Sequence, residues 1–187
     1  MGAGKGTVVD YLVTEKGFRH YSVRGFLREE LERRNMPVNR DTLTAIANTL
    51  RAKHGPAYMA EQLFRQANIS GKNCIIESIR TPGEIEALRK NESFYLLAID
   101  ADPRIRYQRI RKRNSETDNI SYQVFIDNEQ REMHTSDPNK QNLAACIQRA
   151  DHVIQNNGNV ETLHLLTEDF LEKIGFYESQ RHQNNET

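Results

Sequence analysis

The sequence predicts an α/β fold in which helices cover both faces of a mostly parallel sheet, giving three layers. Four short stretches that read as strands alternate with helical patterns along the chain. The runs "CII" and "YLLAI" within two of them are continuously apolar, as expected for parallel strands covered on both faces. A glycine-rich opening, "MGAGKGT", precedes the first helix, and this is the usual setting of a phosphate-binding loop.

The opening stretch matches the closing part of the phosphate-loop pattern G-x-x-x-x-G-K-[ST]. The candidate residues are Gly2, Ala3, Gly4, Lys5, Gly6 and Thr7. Glycines let backbone N–H groups curl around an anion, a lysine supplies charge for the β- and γ-phosphates, and a threonine offers its hydroxyl to Mg²⁺. The helix that follows, from about Lys5 to Lys16 with Gly17 as its stop, directs its positive end at the same place. Its predicted apolar face consists of Val8, Val9, Leu12 and Val13.

The remaining elements follow from local patterns. The predicted strands are 18–22, 73–78, 94–100 and 152–156. Two helices, 41–54 and 57–68, are separated by "HGP", and they belong to a region, 24–70, that is too long for a simple crossover. We expect this region to form a small helical subdomain over the carboxyl edge of the sheet. Thr81, Pro82 and Glu84 form a capping-box pattern for a further helix, and Asp102 caps the helix that begins at Pro103.

A phosphate loop normally follows a buried strand. Neither that strand nor the first glycine of the pattern stands ahead of Gly2 in this sequence. We therefore expect the first strand of the sheet to be missing from this chain. The chain would then be a shortened form of a longer protein, or a protein that lacks the strand and has a weakened site.

Composition excludes several classes of protein. The 187 residues include 37% hydrophobic and 28% charged side chains, which is typical of one globular domain. We expect that domain to span 1–178, with a flexible polar tail at 179–187. The net charge of zero argues against a nucleic-acid partner, and no apolar run is long enough for a membrane span. Two cysteines without a disulfide pattern favour the reducing cytoplasm.

Longer stretches resemble a known family. "GAGKGT", "YSVRGFLREEL", "IIESIR", "DADPRIRYQRIRKRN" and "ADHVIQNNGNVETL" are similar to segments of the P-loop small-molecule kinases: nucleoside monophosphate kinases such as adenylate kinase and, more closely, dephospho-CoA kinase. The chain also resembles the kinase-like segment found ahead of some deoxycytidylate deaminases. The resemblance covers residues 1 to about 165 and implies a P-loop kinase fold with a helical acceptor-binding subdomain and a helical lid at 104–138. In this family the first strand lies between the strands matched by 73–78 and 94–100, so we expect these two strands to lie on either side of a gap or of a foreign segment.

The resemblance also implies roles for individual residues. Arg28 and Arg80 match arginines that bind the phosphate of the acceptor, and Arg131 matches a phosphate contact in the second helix of the lid. Glu77 matches an acid that holds Mg²⁺ or accepts a proton from the acceptor. The metal ligands would be Thr7 and Glu77.

Two further segments match the ATP-binding parts of the family. Arg109 and Arg113 match lid arginines near the adenine and phosphates of ATP. Asn157 and Gly158 match the turn beside the adenine. The catalytic residues would be Lys5, Glu77 and Arg113.

The function implied by the resemblance is transfer of the γ-phosphoryl group of ATP, with Mg²⁺, to a small nucleotide-like molecule. Dephospho-CoA and a (deoxy)nucleoside monophosphate are the acceptors that the family suggests. Two alternatives stay open at this stage. The chain could be a regulatory nucleotide-binding domain that works with a deaminase domain or partner, or an inactive shortened fragment. The sequence leaves the acceptor and the oligomeric state undetermined.

Overall fold

The computed structural model describes residues 1–91, 93–113 and 120–178. The helices are α1 (Lys5–Lys16), α2 (Val23–Arg33), α3 (Arg40–His54), α4 (Tyr58–Ile69), α5 (Pro82–Leu88), α6 (Pro103–Arg113), α7 (Tyr122–Met133), α8 (Leu143–Gln148) and α9 (Val160–Lys173). The strands are β1 (Arg19–Ser22), β2 (Cys74–Glu77), β3 (Leu97–Asp100) and β4 (His152–Gln155). The alternating order confirms the predicted α/β fold. Part of the predicted lid, 114–119, and the predicted tail, 179–187, lie outside the described residues.

The strands form two separate parallel pairs. β1 pairs with β2, with Ser22 opposite Glu77, and β3 pairs with β4, with Asp100 opposite Gln155. Among the described residues, β2 and β3 are not hydrogen-bonded to each other. A cavity of about 2060 Å³, lined by both of these strands, reaches the glycine-rich loop. The two strands are therefore separated, as expected; that a missing strand is the reason remains a prediction.

Helix α1 starts and stops at glycines. Gly4 precedes it with φ 103°, and Gly17 ends it with φ 70°, both in the left-handed region where glycine carries no Cβ penalty. Val8 and Leu12 are buried in a cluster with residues of β4 and α9. The predicted apolar face was wrong at Val13, which is 37% exposed. Val9, on the same side of the helix one turn earlier, is buried, so the exposure of Val13 arises because the core covers only the first two turns on this side.

Helices α2, α3 and α4 have a core of their own. Its buried members are Val23, Leu27, Leu31, Ile46, Ala47, Leu50, Met59 and Leu63. Tyr21 of β1 and Ile76 of β2 pack against this cluster, so the subdomain rests on the first strand pair. The two helices predicted on either side of "HGP" are present within one residue of the predicted bounds.

The predicted capping box of α5 is confirmed. The Thr81 hydroxyl accepts from the Glu84 N–H at 3.3 Å, and the Glu84 carboxylate accepts from the N–H groups of Thr81 (2.9 Å) and Arg80 (2.7 Å). These bonds fix the backbone at Arg80, directly after the carboxyl end of β2.

No helix in the described part of the chain is long and apolar enough to cross a membrane.

Candidate functional site

The glycine-rich loop lies against the turn that follows β4. The Asn156 side chain is buried and donates from Nδ2 to the Ala3 carbonyl at 2.8 Å. A Cβ on Gly4 would overlap Asn156 Nδ2, and a Cβ on Gly2 would overlap the Arg106 carbonyl. Both glycines also have positive φ. The loop therefore needs glycine at these two positions, both for its backbone conformation and for its close packing.

The amino end of α1 is open to an anion. The N-cap residue, Gly4, makes no side-chain cap bond, and the first turn carries no acidic residue. The first N–H groups of a helix have no partner within the helix, and the helix dipole makes this end positive. All six residues from Gly2 to Thr7 line the large cavity. The sequence thus builds a cradle that suits a phosphate group.

Lys5 and Glu77 meet at the centre of the site. Lys5 Nζ donates to Glu77 Oε2, and the Ser22 hydroxyl donates to Glu77 Oε1 at 2.7 Å. His20 Nε2 lies 3.5 Å from the same carboxylate. Burial alone would raise the pKa of Glu77, but the bonds from Lys5 and Ser22 and the nearby His20 together hold it below its ordinary value. Glu77 is therefore an ionised carboxylate at neutral pH.

Strand register explains why these side chains converge. In the parallel pair, Ser22 stands opposite Glu77, and side chains on one strand alternate between faces, so His20 and Ser22 share a face. The sequence analysis singled out neither residue. The period-2 alternation within "HYS" was a usable signal, but only once the register with β2 is known.

On the other side of the loop, Arg109 of α6 is tied to the turn after β4. Its guanidinium donates to the carbonyls of Asn156 at 2.9 Å and Gly158 at 2.8 Å. Gly158 and Arg113 line the cavity, as does Asn156, but Asn157 does not. The Asn157 side chain instead accepts from the Asp102 N–H at 2.8 Å. Arg109, Arg113 and Gly158 thus line the same cavity as the glycine-rich loop, and their predicted contacts with ATP, like that of Asn157, stay predictions.

Arg106 is a second residue that the sequence did not single out. It is buried, donates from Nε to the Ala101 carbonyl at 2.7 Å, and contacts Glu129 of α7. Burial lowers its pKa, although Asp100, 3.6 Å away, acts in the opposite direction. The only signal was its place in a run of basic residues, where most members are surface groups.

The predicted acceptor arginines differ in position. Arg80 lines the cavity, where its Nη1 lies 2.6 Å from Glu132 Oε2 and 3.1 Å from Gln141 Oε1. Arg28 and Arg131 do not line it: Arg28 is exposed on α2, and Arg131 donates to Asn128. Their predicted contacts with phosphate stay untested predictions.

Arginines of α2 and α3 also line the cavity. Arg24 lies on α2, one turn nearer to β1 than Arg28, and Arg40 lies at the start of α3, where it also contacts Glu132. Helices α2 and α3 and the segment after β2 therefore each contribute an arginine to the cavity lining.

The site can also be compared with what a magnesium ion requires. No group of three or more His, Cys, Asp or Glu side chains close enough to hold a metal occurs among the described residues. Magnesium needs fewer protein ligands, because one or two carboxylates and the phosphates of a substrate complete its shell. Thr7, Glu77 and Asp100 all line the cavity, so this donor set fits that requirement.

Comparison with known proteins gives consistent matches. A family described as "AAA domain" matches residues 1–137. A UPF0200 protein of Pyrobaculum aerophilum is 30% identical over 156 residues, covering 83% of this chain and 82% of the relative. A UPF0200 protein of Pyrococcus abyssi is 28% identical over 185 residues, covering 96% and 95%.

A weaker likeness exists to a solved structure, an unliganded sugar kinase from Janibacter sp. HTCC2649. The TM-score is 0.49 at 16% identity, covering 91% of this chain and 87% of the other. A similarity at this level carries no conclusion about activity or substrate.

Proposed function

Because the chain belongs to the AAA domain family and to the UPF0200 proteins, and is a P-loop, kinase-like nucleotide-binding domain, we propose that it is an ATP-dependent phosphotransferase. It moves the γ-phosphoryl group of ATP to a small nucleotide-like acceptor, either dephospho-CoA or a (deoxy)nucleoside monophosphate. One observation carries this proposal. The open amino end of α1, the Lys5–Glu77 pair and the cavity-lining arginines of two different regions surround a single cavity.

The donor half of the cavity suits the phosphates of ATP. The N–H groups at the start of α1 and the charge of Lys5 would hold the β- and γ-phosphates. Arg113, at the end of α6, adds a positive charge that can stabilise the negative charge developing on the transferred phosphoryl group. The carbonyls of Asn156 and Gly158 accept hydrogen bonds from Arg109, so this arginine would lie beside the turn at the adenine end of ATP.

Magnesium would be held by the Thr7 hydroxyl and the Glu77 carboxylate, with the phosphates as further ligands. When bound, it supplies positive charge that neutralises the phosphate oxygens during transfer. Lys5 already neutralises Glu77 in the free protein, so it is the group that exchanges a carboxylate partner for phosphate oxygens when nucleotide binds.

Glu77 has two chemical roles open to it. A general base works best when its pKa lies near the working pH, but the pKa of Glu77 is held below its usual value. This favours a role in which the ionised carboxylate orients the metal or the acceptor hydroxyl. Catalysis would then depend mainly on positioning and charge neutralisation, as is general for phosphoryl transfer.

The gap between β2 and β3 affects how firmly the glycine-rich loop is fixed in position. Each of these strands is paired on one side and borders the cavity on the other. Unpaired N–H and C=O groups inside a core are costly. We propose that an extended apolar segment in this gap, parallel to both strands and leading into the glycine-rich loop, would strengthen the binding of nucleotide.

The test is a phosphotransfer assay with Mg-ATP and a panel of acceptors: AMP, CMP, dCMP and dephospho-CoA. We expect one acceptor class to give ADP at a rate well above ATP hydrolysis alone. Lys5→Ala should abolish transfer while leaving the fold intact, because Lys5 neutralises charge and is 49% exposed. Lys53→Ala, an exposed lysine of α3 outside the cavity, is the matched control and should keep full activity.

Two outcomes would contradict the proposal. Turnover by Lys5→Ala at the wild-type rate would remove the catalytic assignment. Tight binding of Mg-ATP without transfer to any acceptor would favour the regulatory nucleotide-binding domain instead.

A further inference from the structure

Two carboxylates of α7 pair with basic groups that line the cavity. Glu129 and Glu132 lie three residues apart, so their side chains share one face of the helix. Glu132 contacts Arg40 and lies 2.6 Å from Arg80, while Glu129 contacts Arg106 and lies 3.5 Å from the amino group of Met1. Each carboxylate thus bridges two basic groups that come from different segments of the chain.

The Arg40–Glu132–Arg80 bridge is well shielded. The side chain of Glu132 is 19% exposed, and those of Arg40 and Arg80 are 34% and 32% exposed. Burial would raise the pKa of Glu132, but the charges and hydrogen bonds of Arg80 and Arg40 keep it below its ordinary value. The Glu132 carboxylate is therefore ionised, and each of its two oxygens contacts one of the guanidinium groups.

The segments that carry these arginines are anchored independently of α7. Arg40 is the first residue of α3, directly after the Asn39 capping box. The Arg80 backbone is fixed by the Glu84 carboxylate at 2.7 Å. The backbone positions of Arg40 and Arg80 therefore do not depend on α7. The Glu132 side chain, which comes from α7, lies between the two guanidinium groups and can move away from them.

Two convergent guanidinium groups are suited to an oxyanion with several oxygens, because each offers a planar fork of donors. A carboxylate between them is negatively charged and accepts hydrogen bonds, as a phosphate does, but it has fewer oxygens. We propose that Arg40 joins Arg80 as the subsite for an anionic phosphate group of the acceptor, and that Glu132 fills this subsite until the acceptor displaces it. This inference rests on the proposed function, since it names the acceptor as a phosphate-bearing molecule.

Displacement has a physical consequence for α7. Once phosphate lies between Arg40 and Arg80, Glu132 must move away, since like charges at that distance repel. The internal carboxylate therefore competes with the ligand, and it lowers the apparent affinity for every phosphate-bearing acceptor. Removing its charge should raise that affinity.

The experiment measures binding of two probes, inorganic phosphate and AMP, by calorimetric titration of the 187-residue chain. Glu132→Gln keeps the shape of the side chain and removes its charge. We expect it to bind both probes about ten- to a hundredfold more tightly than wild type, which corresponds to the loss of a competing charge-assisted bond. Asp127→Asn is the matched control, because Asp127 is an exposed acid of α7 that accepts a hydrogen bond from the Gln123 side chain at 2.8 Å. This variant should bind both probes with wild-type affinity.

The double variant Glu132→Gln/Arg40→Ala locates the effect. If the subsite is correct, the gain disappears in this variant, whereas it persists in Glu132→Gln/Lys5→Ala, because Lys5 serves the other phosphates. Arg40→Ala alone should weaken the binding of both probes, so the test does not depend on the folding of a single variant. Unchanged affinity in Glu132→Gln, or a gain that survives loss of Arg40, would overturn the inference.

A separate titration with Mg-ADP distinguishes the two proposals. Absence of Mg-ADP binding together with an Arg40-dependent gain would remove the proposed function and leave the phosphate subsite. Normal Mg-ADP binding with no effect of Glu132→Gln on the affinity for phosphate would remove the phosphate subsite and leave the proposed function.

Discussion

Gly4 joins the glycine-rich loop, helix α1 and the turn after β4, so a single added methyl group there affects all three. Its φ of 103° is strained for any residue with a Cβ, and that Cβ would meet the buried Asn156 side chain. We expect Gly4→Ala to lower the free energy of unfolding by about 1–3 kcal/mol. Urea denaturation measures this change.

Gly6→Ala is the matched control for that measurement. Gly6 lies in the first turn of α1, is exposed, and has no atom within 4 Å of an added Cβ. Alanine favours the helix by up to about 1 kcal/mol over glycine, so stability should be unchanged or raised. Equal losses in the two variants would show that the cost arises from loop flexibility rather than from the close contact with Asn156.

The two cysteines should be poor nucleophiles. Burial raises the pKa of the Cys146 thiol to about 11, and burial also raises the pKa of Cys74. Because the thiolate is the reactive form, we expect slow alkylation by iodoacetamide at neutral pH, slowest at Cys146, and rapid alkylation in denaturant. Mass spectrometry of the labelled peptides measures both rates. Fast labelling of Cys146 in the folded protein would contradict its buried position.

A sequence alone can single out a candidate site residue where a motif fixes both the residue type and its neighbours. Lys5 could be identified because its glycines and the following helix lie beside it in the chain. His20 and Ser22 could not, because their contact with Glu77 depends on strand register across 55 residues of sequence. Register is set by tertiary packing, which one sequence does not display.

At the scale of elements, α5 is held by a pair of charges that is almost fully buried. Arg51 of α3 is 1% exposed and Glu84 is 0% exposed, and their side chains lie 3.6 Å apart. Burial lowers the pKa of Arg51, and Glu84 acts against that change. Glu84 also caps α5 through its bond to the Thr81 N–H.

We expect Glu84→Gln to destabilise the fold by about 3–5 kcal/mol, because it leaves Arg51 buried without a counter-charge. Glu86→Gln on the same helix is the control. Glu86 is 67% exposed and pairs with the partly exposed Arg149, so its loss should cost less than about 1 kcal/mol. Chemical denaturation of both variants gives the comparison, and similar losses would mean that the buried pair is not important for stability.

The elements themselves were largely predictable, since their signals are local. The capping box at Thr81, the proline at the start of α6 and the glycines around α1 all act within one turn. The exposed Val13 shows the limit of this reasoning. Its hydrophobicity suggested a buried position, but how much of the helix meets the core is decided by the rest of the fold.

At the scale of the whole molecule, the two strand pairs leave backbone groups facing the cavity. The Arg19 N–H donates to the Asn73 carbonyl at 2.9 Å, and N–H groups of a parallel strand point alternately to its two sides. The Ile75 N–H therefore points to β1, while the Ile76 N–H points into the gap.

The same reasoning applies to the other pair. The Asn156 N–H donates to the Asp100 carbonyl at 2.7 Å, so the Ala98 N–H points to β4 and the Ile99 N–H points into the gap. Backbone amides without a stable bond exchange their hydrogens quickly. We expect Ile76 and Ile99 to exchange much faster than Ile75 and Ala98, which nuclear magnetic resonance can resolve residue by residue. Equal protection of all four would show that the gap is already filled.

A segment that fills the gap should change both exchange and binding. We expect a stretch of about six Val and Ile residues, a usual strand length, joined ahead of Met1, to protect Ile76 and Ile99 and to raise the affinity for Mg-ATP. Ordering the loop costs roughly 1–2 kcal/mol per residue, and a strand that anchors its amino side would meet that cost before nucleotide binds. The matched control carries proline at the two central positions, because proline cannot donate to the ladder. If both additions raise the affinity equally, added length or hydrophobicity is responsible; if only the Val and Ile segment does so and protects both amides, strand pairing across the gap is what prepares the phosphate loop.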